Sequence, residues 1–233
     1  MIKKYFYYFP KLLKFIIHGR FDNFLKKTPG GGVIHVGANA AQERNHYKNL
    51  GIKNVIWIEA DPNMFKIGKK NILDKKYIGQ KIYNYLVTNR NNILYYFNIA
   101  NNSGNSSSLY TLNKLEKLYP GLKYVKKIKL RSKTLTKIFK IEKIDINKYQ
   151  TLIIDTEGSE LLILKGAKEL LPHFQFIKLE VADSALFQEN VGSQEIRKYL
   201  NKFNFIELKR TEIYKNSLVK VFDILYINKN INN

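Results

Sequence analysis

The sequence predicts an α/β fold in which a doubly wound, mostly parallel sheet carries helices on both faces. Two apolar, β-branched runs, Val33–Val36 and Val55–Glu59, are typical of buried strands, and a stretch of helical character near 42–50 separates them. Strands that alternate with helices in this way form a parallel sheet. Near the end of the chain, only a short turn separates the strands predicted at 205–208 and 219–227, which indicates that the last strand is antiparallel.

The remaining elements continue this alternation. Helices are predicted where apolar residues recur at helical spacing, and strands where apolar runs are bounded by polar turns. The predicted strands lie at 82–87, 93–99, 125–130, 152–155 and 176–180, and the predicted helices at 62–73, 112–118, 160–171 and 194–203. Pro172 is expected to end the helix at 160–171. The polar run Asn101–Ser108 is expected to form a loop that is either mobile or functional.

The first 28 residues are predicted to be an amphipathic helical segment, and residues 29–233 a single domain. The segment has one apolar and one basic side, formed by Phe9, Leu12, Leu13, Ile16 and Ile17 and by Lys11, Lys14 and His18. Packing on the domain and peripheral contact with a membrane are both open for it. No apolar run reaches the roughly 20 residues of a membrane span, so we expect a cytoplasmic protein, with attachment at the membrane surface as the alternative.

Composition excludes several kinds of chemistry. The chain of 233 residues has no cysteine, so it has no thiolate nucleophile, no cysteine-ligated zinc or iron–sulfur cluster and no disulfide. Its formal net charge of +21 suits a polyanionic partner or an anionic membrane surface. Joint overuse of Lys, Asn, Ile and Tyr, which A/T-rich coding produces without any partner, is the alternative explanation.

The first motif joins a glycine turn to an acidic residue. The first strand ends in Gly37-Ala38-Asn39, and Glu59 ends the second strand 22 residues after Gly37. In doubly wound sheets, glycine lets the backbone approach a ligand, and an acid about 20 residues later accepts hydrogen bonds from ribose hydroxyls. The further glycines that hold a pyrophosphate are missing, which favours an adenosyl ligand without phosphates over NAD. A glycine turn in an unrelated sheet is the alternative.

The second motif gathers carboxylates at the ends of two later strands. Asp155 and Glu157 follow the strand at 152–155, and Glu180 and Asp183 end the next one. Adjacent parallel strands lie about 4.8 Å apart, so these side chains are predicted to converge on one cleft. Such crowding raises pKa values or attracts a cation. Glu160 fits the first turn of a helix, with Ser159 near its cap.

Together these residues resemble the FkbM-type S-adenosylmethionine-dependent methyltransferases. The resemblance covers about 33–181 and rests on the order and spacing of four stretches. These stretches are Val33–Asn39, Val55–Pro62, Ser106–Leu109 and Ile154–Ala167. It implies a seven-stranded, Rossmann-like methyltransferase sheet.

The resemblance also implies a cofactor site for S-adenosylmethionine. Glu59 would bind the ribose, the turn after the first strand would pass beneath the methionine part, and Asp61 and Val87 would lie near the adenine. The implied cofactor-binding residues are His35, Gly37, Ala38, Asn39, Glu43, Glu59, Ala60, Asp61, Val87 and Asp155. His35 and Ala41 depart from the family pattern, which usually has Asp and Gly there. Glu43 is open between a contact with the cofactor's ammonium group and a solvated helix position.

The acceptor implied by the resemblance is a sugar hydroxyl or a similar small molecule, in glycan or secondary-metabolite synthesis. A carboxylate cluster suits removal of a hydroxyl proton, so Asp155, Glu157 and Glu180 are the candidate catalytic residues. Ser107, Ser108 and Glu157 are candidate acceptor contacts, with a solvated linker as the alternative for the serines. A Mg²⁺ site formed by Asp155 with Glu180 or Asp183 is a further hypothesis.

Two other functions stay open. An RNA methyltransferase is suggested by the net charge and by residues 114–143, where 11 Lys or Arg face 2 Glu. The sequence contains no recognisable RNA-binding module, which disfavours a nucleic-acid partner. A catalytically inactive methyltransferase fold that serves as a binding module is suggested by His35 and Ala41.

Overall fold

The computed structural model describes residues 31–112, 119–183, 191–215 and 219–231. Its strands are β1 (Gly32–Val36), β2 (Val55–Glu59), β3 (Gln80–Asn84), β4 (Leu86–Val87), β5 (Leu94–Ala100), β6 (Tyr124–Lys133), β7 (Tyr149–Ile154), β8 (Phe176–Ala182), β9 (Phe205–Lys215) and β10 (Lys220–Asn228). Its α-helices are α1 (Arg44–Asn49), α2 (Pro62–Asn71), α3 (Leu135–Ile141), α4 (Glu160–Gly166) and α5 (Ser193–Asn201).

Seven of the strands form one sheet in the order β3-β2-β1-β7-β8-β10-β9. The pairs from β3 to β8 are parallel, and β10 pairs antiparallel with both β8 and β9. Strand β10 is also the last strand in the sequence. The structure therefore confirms the predicted fold class, a mostly parallel seven-stranded sheet with an antiparallel last strand.

Apolar side chains cover both faces of this sheet because residues of a strand alternate between its faces. On one face, Ile34 and Leu152 belong to a core cluster that also holds residues of α4 and α5. On the opposite face, Val33 and Trp57 pack with Tyr47 of α1. The helices therefore lie on both faces, as predicted.

The strand predicted at 82–87 is wrong in one respect, because the structure divides it. Asn84 ends β3 and its side-chain amide donates to the backbone oxygens of Glu59 and Ala60 at 2.7 and 3.1 Å, while the N–H of Tyr85 also donates to Glu59 O. The pairing of β3 with β2 ends at Asn84, and β4 pairs instead with β6. A second sheet results, with the order β4-β6-β5.

The helix predicted at 160–171 is shorter than expected. Helix α4 ends at Gly166, and Pro172 lies in the first turn of a separate 3₁₀ helix, Leu171–His173. Proline is tolerated there because the first turn needs no N–H donor.

Two predicted elements cannot be compared with the structure. The amphipathic segment 1–28 and nearly all of the helix at 112–118 lie outside the described residues, so both stay predictions. None of the helices within the described ranges is long and apolar enough to cross a membrane.

Candidate active site

Several of the predicted site residues lie at or just beyond the carboxyl ends of the parallel strands. The chain continues from β1 to β2 and β3 on one side, and β7 pairs with β1 on the other side. A crevice opens where the strand order reverses in this way, and it is where open α/β sheets bind ligands. Gly37 follows β1, Glu59 ends β2 and Asp155 follows β7, so the structure brings these residues to one edge.

Glu59 is almost completely buried, at 7% exposure, and both of its carboxylate oxygens accept backbone hydrogen bonds. Oε2 accepts from Asn39 N–H at 2.6 Å, and Oε1 accepts from Asp61 N–H at 2.7 Å. Burial raises the pKa of Glu59 to about 7, although these two hydrogen bonds oppose the shift. Glu59 therefore links the turn after β1 to the start of α2.

Gly37 is required by a close approach of two backbones. Its φ is +89°, and an added Cβ would lie 1.7 Å from the backbone oxygen of Asp155. The sequence suggested that this glycine makes room for a ligand, but the nearest obstacle in the structure is the chain that leaves β7. Because Gly37 has no side chain, the turn after β1 can lie directly against the chain that leaves β7.

Asn39 joins the turn after β1 to the polar loop Asn101–Ser108. It has a left-handed backbone, with φ of 46°, and its side-chain amide donates to Ser103 O at 3.0 Å. A hydrogen bond of 3.1 Å links Gln42 to Asn105. The loop therefore lies beside the turn that was predicted to hold the cofactor, which the sequence did not indicate.

The other predicted cofactor residues near β2 have structural partners. Asp61 caps α2, because its Oδ1 accepts from Asn63 N–H at 2.8 Å, and it is 2% exposed. Ala60 O accepts from the Asn84 side chain, and Val87 is buried in the core cluster with α4. Their contacts with an adenine remain predictions.

His35, Ala38 and Glu43 lie at or beneath the turn after β1. The ring of His35 stacks on Trp57, and its Nδ1 lies 2.9 Å from the Tyr47 hydroxyl, so it packs under the turn. Ala38 is buried in the same cluster, and Glu43 is half-buried at the cap of α1 without a side-chain capping bond. Roles for these residues in cofactor binding stay predictions.

Glu160 shapes the turn that carries Asp155 and Glu157. Its Oε1 accepts from Thr156 N–H, the Thr156 hydroxyl and Gly158 N–H at 3.2, 3.2 and 3.1 Å. It is 5% exposed, and burial raises its pKa to about 7. The sequence placed Glu160 correctly in the first helical turn but not as the residue that organises this turn. Ser159 occupies the cap position without a side-chain capping bond.

Both candidate serines form hydrogen bonds with backbone groups, and Ser108 joins the loop to the turn that carries Glu157. The Ser108 hydroxyl donates to Glu157 O at 2.7 Å, and Ser107 Oγ accepts from Ala100 N–H at 3.1 Å. Ser108 is fully buried and Ser107 is 9% exposed, so neither belongs to a solvated linker. Glu157 has a left-handed backbone with φ of 56° and is half-buried.

Two tyrosines near these acids were missed. Burial raises the pKa of Tyr119 to about 12, with contributions from Tyr214, Glu157 and Glu180. Burial also raises the pKa of Tyr124 strongly, and the charge of Glu157 adds to this shift. The chain has 16 tyrosines, and no local pattern distinguishes these two from the others.

Glu180 lies in a group of charged side chains on one face of the sheet. It pairs with Asp223 across β8 and β10, and Lys178 Nζ lies 2.9 Å from Asp223 Oδ2. Burial opposes the charge of Lys178, but Asp223, with help from Asp155 and Glu180, raises its pKa overall. A largely buried ammonium group, with its side chain 14% exposed, therefore lies near Asp155 and Glu180, and the sequence did not identify it.

The hypothesis of a Mg²⁺ site receives no support. Residues 31–112, 119–183, 191–215 and 219–231 contain no group of three or more His, Asp or Glu that could hold a metal. Asp183 is also held elsewhere, because its Oδ1 accepts from Lys220 N–H at 2.9 Å.

Three solved structures share the fold. An uncharacterised protein from Listeria monocytogenes serotype 4b has 10% identity and a TM-score of 0.51, over 90% of this chain and 67% of that one. Magnesium protoporphyrin IX methyltransferase (ChlM) from Synechocystis PCC 6803 with bound SAH has 10% identity and a TM-score of 0.50, over 92% of this chain and 84% of that one. TehB from Haemophilus influenzae has 11% identity and a TM-score of 0.52, over 91% of this chain and 62% of that one. At these identities, the similarity shows the fold alone.

Comparison by sequence gives the family. No curated protein matches the chain at the threshold applied. The model of the methyltransferase FkbM domain matches residues 35–207, which include the turn after β1, Glu59 and the acidic turn after β7. Since this match spans most of the sequence, the chain belongs to the FkbM methyltransferase family.

Proposed function

We propose that the protein is an S-adenosylmethionine-dependent methyltransferase that methylates a hydroxyl oxygen of a sugar or a similar small molecule. One observation carries the proposal. The glycine turn with Glu59 and the acidic turn with Asp155 lie on adjacent strands across the switch point, where the Gly37 and Asp155 backbones meet. The residues predicted to bind the cofactor and those predicted to bind the acceptor would therefore adjoin each other.

The residues predicted to bind the cofactor fit an adenosyl ligand. Each oxygen of Glu59 accepts one backbone N–H and keeps a second lone pair, so two vicinal hydroxyls find two acceptors. Helix α2 begins beside this carboxylate, but no glycine-rich phosphate loop precedes it. This donor and acceptor set supports S-adenosylmethionine over a dinucleotide.

Methyl transfer to a hydroxyl requires that the protein position the acceptor and supply a base for its proton. S-adenosylmethionine, when bound, supplies a methyl group on a positively charged sulfur. A carboxylate of Asp155, Glu157 or Glu180 would accept the proton of the acceptor hydroxyl as its oxygen takes up that methyl group, and S-adenosylhomocysteine would be released. Glu160 holds the backbone that positions Asp155 and Glu157, which matters because reaction requires alignment of the attacking oxygen.

Features around the acids support a small polar acceptor. Tyr119 and Tyr124 are close enough to Glu157 for its charge to contribute to their raised pKa values. Aromatic walls with a few polar groups are typical of small-molecule pockets. Lys178 adds a largely buried positive charge near Asp155 and Glu180.

Cofactor binding can be tested without knowledge of the acceptor. We expect S-adenosylhomocysteine at 100 times its dissociation constant to stabilise the protein by about 2.7 kcal/mol, a rise in Tm of about 5–10 °C. The rise should vanish in Glu59→Ala. If saturating ligand leaves Tm of the wild-type protein unchanged, the chain is an inactive binding module.

The acceptor class can be tested with cofactor that carries a tritiated methyl group. A cell extract is separated into polysaccharide, small-molecule and RNA fractions, and each is incubated with the protein. We expect label in a carbohydrate fraction, recovered as an O-methyl sugar after acid hydrolysis. Asp155→Asn, Glu157→Gln and Glu180→Gln identify the base, whose loss lowers kcat by about 10²–10⁴-fold. In Glu157→Gln and Glu180→Gln the affinity for S-adenosylhomocysteine should stay unchanged, whereas Asp155 is also a predicted cofactor contact. Label in RNA, or in no fraction, would overturn the proposal.

A further inference from the structure

The second sheet presents a face on which basic and apolar side chains are combined. In the pairing of β5 with β6, Leu94 lies opposite Arg131 and Tyr96 lies opposite Lys129. Lys127 precedes Lys129 by two residues in β6, so it lies on the same face of the sheet. All five side chains are exposed. We call these five residues the basic face.

Negative charge is almost absent from this part of the chain. Between Asp74 and Glu142 the sequence contains one acid, Glu116, against 14 Lys or Arg. Strands β5 and β6 contain none. The cations of the basic face therefore have no acid on either strand to neutralise them, and their field reaches an approaching anionic surface within about a Debye length, near 8 Å at physiological salt.

Exposed apolar groups accompany these cations. Leu94 and Tyr96 are 51% and 54% exposed, and Val125, at the irregular start of the pairing, is 57% exposed. A general excess of lysine in the composition accounts for cations anywhere on the surface, but not for exposed aliphatic side chains between them. Basic residues around projecting apolar groups are typical of surfaces that adsorb to anionic bilayers.

We propose that the basic face binds the surface of an anionic lipid bilayer. Lys127, Lys129 and Arg131 would lie against the headgroups, with their charged ends at the polar level and their stems along the apolar boundary. Leu94 and Tyr96 would enter the interface between headgroups and acyl chains. This site is independent of the predicted segment 1–28 and of the proposed methyl transfer.

The same face could also be considered for single-stranded RNA, which binds by stacking bases on exposed aromatic rings. Two ammonium groups already lie over the Tyr96 ring, Lys127 Nζ at 5.3 Å and Lys129 Nζ at 5.4 Å from its centroid. An aliphatic residue such as Leu94 offers a base no stacking surface either. These contacts favour the bilayer.

The test is co-sedimentation of the full chain with sucrose-loaded vesicles. We expect binding to vesicles of 30% phosphatidylglycerol in phosphatidylcholine, and none to pure phosphatidylcholine. Lys127→Glu with Lys129→Glu should weaken binding at least about tenfold, because each basic residue at an anionic surface contributes to affinity. Lys127→Gln with Lys129→Gln should weaken it in the same direction, and it guards against an effect of charge reversal on folding.

The control is Lys165→Glu with Lys168→Glu, which makes the same change in net charge at exposed positions in and after α4. The affinity of this variant for anionic vesicles should fall by less than about threefold. Equal losses in the two charge-reversed variants, or wild-type protein that does not sediment with anionic vesicles, would overturn the proposal. Retention of a fluorescent single-stranded RNA 20-mer that depends on Lys127 and Lys129, without vesicle binding, would overturn it in favour of RNA.

Discussion

Lowering the pH from 8 to 6 is expected to stabilise the protein through Glu59 and Glu160. Burial raises the pKa of both carboxyl groups from the ordinary value of 4.5 to about 7. The folded state therefore binds a proton more tightly than the unfolded chain does. The stabilisation is complete below pH 4.5, and it is lost as the pH rises through about 7.

The magnitude follows from proton linkage. With a pKa of 7 in the folded state and 4.5 in the unfolded state, each group adds about 1.3 kcal/mol to the free energy of unfolding between pH 8 and pH 6. The two groups together add about 2.6 kcal/mol. Glu160→Gln keeps an oxygen that can accept the bonds from Thr156 and Gly158 but does not titrate, so it should lose half of this gain.

The assay is urea unfolding at pH 6, 7 and 8, followed by fluorescence of Trp57. This residue is the single tryptophan of the chain and is fully buried, so its emission reports unfolding of the domain. When the pH dependence of the variant is subtracted from that of the wild type, the contributions of the titratable groups that both proteins share cancel. An equal pH dependence in wild type and Glu160→Gln would refute the reasoning, because the carboxyl group would then not titrate in this range.

Three further predictions concern backbone crowding, a buried ion pair and the cofactor. Gly37→Ala should lower the free energy of unfolding by more than about 3 kcal/mol, since its Cβ would meet the Asp155 oxygen. Gly51 has a φ of +79° and open space around it, so Gly51→Ala should lower the free energy of unfolding by only about 1–2 kcal/mol in the same urea assay. Lys178→Met should cost about 3–5 kcal/mol because it leaves a buried carboxylate unpaired, and a double variant that also replaces the partner acid with Leu should recover most of this loss in thermal unfolding. Affinity for S-adenosylhomocysteine should fall about tenfold from pH 8 to pH 6 by calorimetry, because Glu59 must be ionised to accept two hydroxyl donors, and Glu59→Gln should show no such dependence.

The predicted strands at 33–36 and 55–59 agree closely with the structure because their apolar patterns are local. The division of the strand at 82–87 was not predictable, since β3 and β4 pair with different strands, β2 and β6, which are distant from them in the sequence. The early end of helix α4 at Gly166 was likewise not predicted. A Cβ at Gly166 would lie 2.1 Å from Thr88 O, so this position packs closely against a segment distant in the sequence.

The candidate site divides in the same way. Gly37, Glu59 and Asp155 were predicted at one edge because parallel strands end together, whatever surrounds them. The tyrosines and Lys178 gain significance only from neighbours far away in the sequence, such as the contact between Lys178 and Asp223.

The sequence by itself determined the fold class and the group of residues at the carboxyl edge, since strand periodicity and strand ends are local properties. Only the tertiary structure decided the electrostatic state of that edge. The shifts at Glu59 and Glu160 arise from burial, and burial is produced by the packing of loops and helices that no local pattern encodes. The approach of the Asp155 backbone to Gly37 likewise exists only once β1 and β7 are paired.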